Sequence, residues 1–461
     1  MALIKSISGI RGTIGGKPGD TLSPLDVVKF TAAFGCWLKS TYPDNKKVVI
    51  GRDGRISGAM VRGIVVSTLN ALGLDVIDLG LSTTPTVEFA VTEEKAAGGI
   101  ILTASHNPKE WNALKLLNAN GEFINAADGA VVLKMADAED FSFVSVEKLG
   151  TCMIDDTYMQ KHIDAILAYP LVDAAAIKAA NFNIVVDGIN STGATFVPAL
   201  LKELGVKEIT VLNEAITGNF AHNPEPLPQH LSEISSVVEK KKASLGIVVD
   251  PDVDRLCFVS EDGSLFGEEY TLVAVADYVL QHRKGNTVSN MSSTKALKEL
   301  TIKYGGEYFP SAVGEVNVVT KMKAVNAVIG GEGNGGIIVP DFHYGRDALI
   351  GIALFLSHLA RTKKSMTALR RSYPNYFISK NKIELSGEFN IKKIFQGIQK
   401  KYKNQPINTE DGLKIEFDND WVHLRTSNTE PIIRIYSESD FETKANNIAM
   451  RLMQDIKEAM A

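Results

Sequence analysis

The chain has 461 residues, 45% of them hydrophobic and 22% charged, a composition typical of ordinary globular proteins and not of disordered ones. Acidic residues outnumber basic ones by 54 to 49, so the formal net charge is −5. That balance argues against a general nucleic-acid-binding surface, and any anion site must be local. At about 150 residues per domain, the length predicts three or four domains.

The cysteines and the hydropathy of the chain indicate the compartment in which the protein is expected. Cys36, Cys152 and Cys257 are too scattered for a disulfide framework or a zinc cluster. The N-terminus lacks an apolar run of signal-peptide length, and the most apolar later stretch, 348–360, is short enough to predict a buried helix and not a membrane span. We therefore expect a cytoplasmic protein with no nucleic-acid or membrane partner.

Short β-branched runs alternate with longer helical patterns along most of the chain, which predicts an α/β fold. The first cycle comprises a strand at 48–50, a helix over about 57–72, and strands at 75–80 and 98–102. The second has a strand from 183, a helix over 194–204 and a strand at 208–213. A third cycle begins with the strand GIVVD at 246–250.

Beyond residue 371 the composition changes to Lys, Asn and Glu with short strands, which predicts a smaller α+β domain. Its last helix should present one apolar face, made of Phe441, Ala445, Ile448, Leu452 and Ile456. We thus predict three similar mixed α/β domains and a C-terminal α+β domain. The predicted ranges are 1–150, 151–253, 254–371 and 372–461.

The densest acidic loop, DPDVDR, follows an apolar strand. If this segment is extended, Asp250, Asp252 and Asp254 lie on one side of the chain. Three adjacent carboxylates repel one another, and a divalent cation relieves that repulsion; oxygen ligands favour Mg²⁺ over zinc. The alternative is a solvated acidic turn.

Three further loops carry polar side chains where strands end. TASHNP (103–108) follows the strand GGIIL and could expose the hydroxyl of Ser105, although an ordinary turn explains it equally well, and no serine-hydrolase pattern is present. RTSNTEPIIRIYSE (425–438) combines guanidinium and hydroxyl donors suited to a phosphate dianion. GGEGNGG (330–336) is predicted to be a loop, because it is too glycine-rich for a strand interior.

Taken in order, TASHNP, DPDVDR, GEGNGG and RTSNTEPIIRIYSE resemble the α-D-phosphohexomutase family across the whole chain. GIRG (9–12), GRDGR (51–55) and NPEP (223–226) add to the likeness. The resemblance implies four domains around a central cleft, each contributing one loop. It also implies interconversion of hexose 6-phosphate and hexose 1-phosphate, with Mg²⁺ as cofactor and hexose 1,6-bisphosphate as intermediate and activator. The partner is then a small sugar phosphate, and the resemblance implies a monomer or a homodimer, because the family has both kinds.

The resemblance assigns roles to individual residues. Ser105 matches the phosphoserine, whose oxygen completes a Mg²⁺ site with the three aspartates of DPDVDR. His106, Lys115, Arg11 and Arg255 match groups near the transferring phosphate, with Lys115 a candidate general acid or base. Glu332 and Asn334 lie on the sugar-recognition loop. The loop for the non-reacting phosphate matches Arg425, Ser427, Asn428, Thr429 and Arg434.

The sugar loop departs from many relatives, because Gly336 stands where they have histidine. His343 is close enough in sequence to be considered as a substitute. The GEGNGG form is similar to that of archaeal-type phosphoglucosamine mutases, so glucosamine phosphate is the preferred substrate, with phosphomannomutase/phosphoglucomutase activity as the alternative. A phosphatase or a non-catalytic sugar-phosphate sensor is disfavoured, because the serine, the aspartates and both ligand loops are all present.

Overall fold

The computed structural model describes residues 3–6, 9–385, 390–426 and 432–460, and it contains four sheets, each with its own helices. In the described residues, no helix is both long and apolar enough to cross a membrane.

The first sheet has seven strands in the order β1-β2-β6-β5-β3-β4-β7, parallel from β5 to β7 and antiparallel at the other edge. Adjacent residues of its central strands belong to different apolar clusters, since strand side chains alternate between the two faces. Its elements are β1 (Leu3–Ser6), β2 (Gly9–Thr13), α1 (Pro24–Thr41), β3 (Lys47–Arg52), α2 (Gly58–Ala71), β4 (Asp75–Leu81), α3 (Thr84–Glu93), β5 (Gly98–Leu102), β6 (Trp111–Leu117), α4 (Ala126–Ala138) and β7 (Cys152–Ile154).

The second sheet has four strands in the order β11-β10-β8-β9. β10 and β11 pair antiparallel, so the predicted boundary between residues 253 and 254 falls inside this sheet, and the DPDVDR loop joins two of its strands. The reason is local: a short connection lets consecutive strands pair antiparallel. The elements are α5 (Tyr158–Ala168), α6 (Ala174–Ala180), β8 (Asn183–Asp187), α7 (Gly193–Glu203), β9 (Glu208–Leu212), α8 (Ser232–Lys241), β10 (Leu245–Val249) and β11 (Leu256–Ser260).

The third sheet, ordered β13-β12-β14-β15, shares one continuous apolar core with the second unit, running from Ile163 to Tyr373. The apolar stretch 348–360 is the buried helix of this core, as predicted. The elements are α9 (Glu268–His282), β12 (Asn286–Asn290), α10 (Ala296–Lys303), β13 (Tyr308–Ser311), α11 (Glu315–Val325), β14 (Ala327–Glu332), β15 (Gly336–Ile338), α12 (Ala348–Thr362) and α13 (Met366–Arg370).

The C-terminal sheet is fully antiparallel in the order β16-β20-β19-β18-β17 and has a separate core, which confirms the α+β prediction. In the last helix, Leu452 and Ile456 are buried as predicted, whereas Phe441 precedes the helix and is 67% exposed. The elements are β16 (Phe377–Glu384), α14 (Ile391–Lys401), β17 (Ile407–Asn408), β18 (Leu413–Glu416), β19 (Trp421–Thr426), β20 (Ile432–Ser439) and α15 (Glu442–Met460).

Candidate active site

Ser105 lies in the loop that follows β5, and its backbone adopts a left-handed conformation with φ of 49°. Its hydroxyl donates a 2.7 Å hydrogen bond to Asp250 Oδ2, which belongs to the second unit. The residue is only 6% exposed, so the expectation of an exposed hydroxyl is wrong for this conformation. The serine loop does follow the end of a strand, as predicted, but the DPDVDR loop packs against the Ser105 side chain.

Arg55, which follows β3, holds the serine loop in place. Its guanidinium donates hydrogen bonds to the carbonyl oxygens of Pro108 (2.7 Å), Trp111 (2.9 Å), Asn107 (2.7 Å) and Ser105. Its Nε also pairs with Asp53 Oδ2 at 3.0 Å, and both side chains are completely buried. The sequence interpretation counted GRDGR only as a supporting motif, and nothing in those five letters shows that Arg55 spans this loop.

The DPDVDR loop brings its three carboxylates within 4.8 Å of one another, as predicted, but its backbone conformation differs from the prediction. The segment forms a tight turn and not an extended strand: the Val253 N–H donates to the Asp250 carbonyl, and Val253 has a left-handed φ of 62°. A β-branched residue is strained in that region. The first domain fastens the turn, because Thr84 Oγ1 donates to Asp252 Oδ2 at 2.6 Å.

The carboxylates of this loop are buried against two cations. Lys115 Nζ lies 2.6 Å from Asp252 Oδ2 and 3.2 Å from Asp254 Oδ2, and Arg346 Nη2 donates to Asp254 Oδ2 at 2.7 Å. Burial alone would raise the pKa of Asp254, but Arg346 and Lys115 hold it well below its usual range. Burial and the two neighbouring aspartates raise the pKa of Asp250 well above its ordinary value.

The donor set fits a hard divalent cation. Asp252 Oδ1 and Asp254 Oδ1 are buried and have no hydrogen-bond partner among the described residues, while Asp250 Oδ2 meets the serine hydroxyl. Buried carboxylate oxygens without a donor are costly unless a cation or a donor reaches them. An all-oxygen set favours Mg²⁺ over Zn²⁺.

Three other predicted residues surround Ser105. His106 Nδ1 lies 3.4 Å from Ser105 Oγ, and burial together with Arg255 and Arg11 lowers the pKa of His106 well below its usual value, so the ring is neutral. Arg11 Nη1 donates to Asn107 Oδ1 at 3.4 Å. Arg255 Nε lies 4.0 Å from Asp250 Oδ2, and its Nη1 lies 3.4 Å from Glu225 Oε1 in the NPEP segment. The structure therefore brings His106, Arg11 and Arg255 together around the serine loop.

The GGEGNGG segment is a tight hairpin, so the prediction that all of it is loop is wrong. β14 extends to Glu332 and pairs with β15, which leaves only residues 333–335 in the turn. Glycine is needed inside this strand, because a Cβ on Gly330 would lie 2.5 Å from Met322 Sδ. Asn334 Oδ1 accepts the Gly336 N–H at 3.1 Å within the turn.

Glu332 is held rigidly at the end of β14. Its Oε1 accepts from Asn290 Nδ2 at 2.8 Å and from the Gly314 N–H at 3.0 Å, and its Oε2 accepts from Arg346 Nη1 at 2.7 Å. Arg346 thus bridges the sugar-loop glutamate and Asp254 of the three-aspartate loop. Sequence reasoning missed Arg346, although it stands in a second Gly-Arg-Asp triplet at 345–347 that repeats the one at 51–53.

The side chain of Arg346 also occupies the space beside Gly336. A Cβ on Gly336 would lie 2.3 Å from Arg346 Cδ, so a larger residue cannot fit without displacing the arginine. His343 does not take the place of the missing histidine in this arrangement. It faces Glu88 Oε2 at 3.6 Å and Asp347 Oδ2 at 3.2 Å.

The predicted phosphate loop lies in the C-terminal domain. Arg425 on β19 and Arg434 on β20 are direct partners across the two antiparallel strands, so both side chains lie on the same face of the sheet. Arg425 Nε also pairs with Asp411 Oδ2 at 3.3 Å, and that carboxylate accepts the Val313 N–H of the third domain at 2.9 Å. The other predicted members, Ser427, Asn428 and Thr429, lie outside the described residues.

Comparison with known proteins agrees with this geometry. Sequence models of the phosphoglucomutase/phosphomannomutase α/β/α domains I, II and III match residues 3–142, 160–263 and 267–376, and that of the C-terminal domain matches 383–455. A phosphoglucomutase/phosphomannomutase of Thermococcus kodakarensis is 36% identical over 454 residues, covering 96% of this chain and 98% of that protein. A phosphoglucosamine/phosphogalactosamine mutase of Sulfurisphaera tokodaii is 30% identical, covering 99% and 100%.

Among solved structures, a phosphoglucomutase/phosphomannomutase family protein of Burkholderia thailandensis superposes with a TM-score of 0.85 at 26% identity, over 99% of this chain and 97% of that one. The four domain matches follow one another along the chain in the order of the four sheets. On this evidence the chain belongs to the phosphoglucomutase/phosphomannomutase family.

Proposed function

We propose that this chain interconverts glucosamine 6-phosphate and glucosamine 1-phosphate, with Ser105 as the phosphate carrier. The observation that carries the phosphoryl transfer is the 2.7 Å contact between the Ser105 hydroxyl and Asp250, one of three converging carboxylates, whereas the choice of glucosamine rests on the form of the GEGNGG segment. A serine held beside a divalent-cation site suits phosphoryl transfer, which needs positioning and charge neutralisation above all.

Asp250, Asp252 and Asp254 would hold Mg²⁺ together with an oxygen of the phosphorylated Ser105. Bound there, the ion would neutralise charge on the phosphoryl oxygens. The protein's own cations act on the same group: Arg255 and Arg11 lie on the Ser105 side of the loop, and both can donate to phosphoryl oxygens.

The reaction proceeds in two transfers. In the first, the O–P bond at Ser105 Oγ breaks while a sugar hydroxyl forms the new O–P bond and gives up its proton, yielding hexose 1,6-bisphosphate. The bisphosphate then turns in the cleft, and its other phosphate returns to Ser105. The candidates for the proton transfers are His106, whose Nδ1 lies 3.4 Å from Ser105 Oγ, and Lys115, which is bonded to Asp252 of the neighbouring loop.

Binding of the sugar falls to the third and fourth domains. Glu332 and Asn334 would accept hydrogen bonds from sugar hydroxyls, and Arg425 and Arg434, with Ser427, Asn428 and Thr429, would hold the non-reacting phosphate. Because one glutamate does not select the epimer, phosphomannomutase/phosphoglucomutase activity is the second candidate. The 36% identical relative of that name supports it.

The test is ³¹P NMR of the protein with Mg²⁺, a trace of hexose 1,6-bisphosphate, and glucosamine, mannose or glucose 1-phosphate in separate tubes. We expect glucosamine 1-phosphate to be converted fastest to its 6-isomer; faster conversion of mannose or glucose would favour the second candidate. The Ser105→Ala variant should lose turnover while still binding ligand. Release of inorganic phosphate without isomerisation, or full activity of that variant, would contradict the proposal.

A further inference from the structure

A second cluster of ligand-type side chains lies where the first three domains meet, beside the three-aspartate loop but made of different residues. His162 comes from α5, His343 from the loop after β15, and Asp347 from the N-cap of α12. The two imidazole Nε2 atoms lie 3.1 and 3.2 Å from the same oxygen, Asp347 Oδ2. The three ligand atoms lie within 4.8 Å of one another, and the side chains are buried.

Both rings are oriented in the way that metal-binding histidines are. His162 Nδ1 lies 2.9 Å from Thr86 Oγ1, and His343 Nδ1 lies 3.6 Å from Glu88 Oε2. Each Nδ1 therefore faces an outer oxygen of the first domain while each Nε2 faces Asp347. At His162 this contact is a hydrogen bond of the kind that usually orients a metal-binding histidine, whereas the 3.6 Å separation at His343 is too long for one.

The surroundings hold the first ring firmly. His162 packs against both Phe89 and Phe342, with ring centroids 5.1 and 5.6 Å away and planes inclined by 16° and 15°. Asp347 Oδ1 accepts the N–H of Leu349 at 2.7 Å, which directs Oδ2 toward the histidines. The ligand atoms are thus preorganised by apolar packing and by a helix N-terminus.

Several buried polar atoms beside the cluster lack hydrogen-bond partners in the described structure. Both carboxylate oxygens of Glu88 and Nδ1 of His343 are buried, with no hydrogen-bond partner among the described residues. Buried polar atoms without hydrogen-bond partners are costly. With a divalent cation bound by the two Nε2 atoms and Asp347 Oδ2, the ring proton of His343 would lie on Nδ1, the nitrogen that faces Glu88.

We propose that His162, His343 and Asp347 form a buried binding site for a divalent transition-metal ion of the zinc class, which joins the first three domains. Ligands of a tetrahedral Zn²⁺ at about 2.0–2.1 Å stand roughly 3.3–3.4 Å apart, close to the 3.1 and 3.2 Å separations here. Imidazole nitrogen favours Zn²⁺ or Co²⁺, whereas Mg²⁺ prefers the oxygen ligands of the three-aspartate loop. Water would take the fourth position.

The experiment uses Co²⁺ as a visible probe. The full-length protein is stripped with a chelator, supplied with excess Mg²⁺ to fill the oxygen site, and titrated with Co²⁺. We expect a one-to-one complex with the intense visible absorption of four-coordinate Co²⁺, which Zn²⁺ displaces. Weak absorption of the octahedral type only, or none, in the wild-type protein would overturn the proposal, whatever the variants do.

Variants locate the ion. His343→Gln should abolish the intense absorption and the rise in melting temperature on adding Zn²⁺. His358→Gln is the matched control, because His358 is also buried beside a carboxylate, 3.3 Å from Asp277, but belongs to no such cluster in the described structure, and it should keep both responses. Asp252→Asn should also keep them. Loss in Asp252→Asn with retention in His343→Gln would place the ion in the three-aspartate loop and refute the assignment.

Discussion

Replacing Arg55 with alanine would remove the guanidinium that holds the serine loop. Asp53 would then be a completely buried carboxylate without its cation, and breaking a buried ion pair in this way costs about 3–5 kcal/mol. Four loop carbonyls would also lose a donor, each at about 1–3 kcal/mol if water does not reach it. Even if water hydrates all four, we expect a loss of about 3 kcal/mol or more in the free energy of unfolding.

Urea unfolding measures that loss, and the matched control is Arg361→Ala. Arg361 pairs with Asp173 at 2.8 Å, but its side chain is 53% exposed, so its removal should cost at most about 1 kcal/mol. Arg55→Lys keeps the charge beside Asp53 but not the planar fork, and it should be intermediate in stability. We also expect phosphoryl transfer to Ser105, followed by intact-protein mass spectrometry, to slow strongly in Arg55→Ala. Stability within about 1 kcal/mol of the wild type, with unchanged transfer, would refute this reasoning.

Gly336→His should lower the free energy of unfolding in urea by about 1–3 kcal/mol, because its Cβ would lie 2.3 Å from Arg346 Cδ. The control is Gly397→Ala in α14, where the new Cβ has room, and this change should be neutral or slightly stabilising. Equal effects of the two changes would contradict the packing argument. Burial lowers the pKa of His423 to about 4, so the neutral ring that accepts from Ser292 Oγ is favoured on folding. The free energy of unfolding should therefore fall by up to about 3 kcal/mol as the pH drops from 6.5 toward 4. In His423→Gln the free energy of unfolding should depend less on pH over this range. An equally steep fall in the variant would exclude His423 as the cause. Removal of divalent cations with EDTA should abolish turnover, and Mg²⁺ should restore it; full activity in EDTA would contradict a metal-assisted transfer.

Several features followed from the sequence because they depend on neighbouring residues. The alternation of β-branched runs and amphipathic stretches is set by local periodicity, and it placed α2, α7 and α12 to within two residues. The three aspartates of DPDVDR converge because they are only two residues apart, even though a turn and not an extended strand brings them together.

The failures also have physical causes. GGEGNGG was interpreted from glycine's backbone freedom, but its glycines are required by close packing against Met322 and against the paired strand, which local sequence does not reveal. Phe441 fits the helical spacing, yet the helix starts after it, since helix ends depend on capping and tertiary contacts more than on periodicity.

The sequence by itself determined the fold class and the short motifs that carry the chemistry, because both depend on runs of adjacent residues. Only the tertiary structure decided which motifs meet. Ser105 and Asp250 are 145 residues apart, and Arg346 is 92 residues from Asp254. These residues meet because the ends of strands from separate sheets are packed against one another. The free energy that stabilises this packing comes from burial of the apolar cores and not from the motifs themselves.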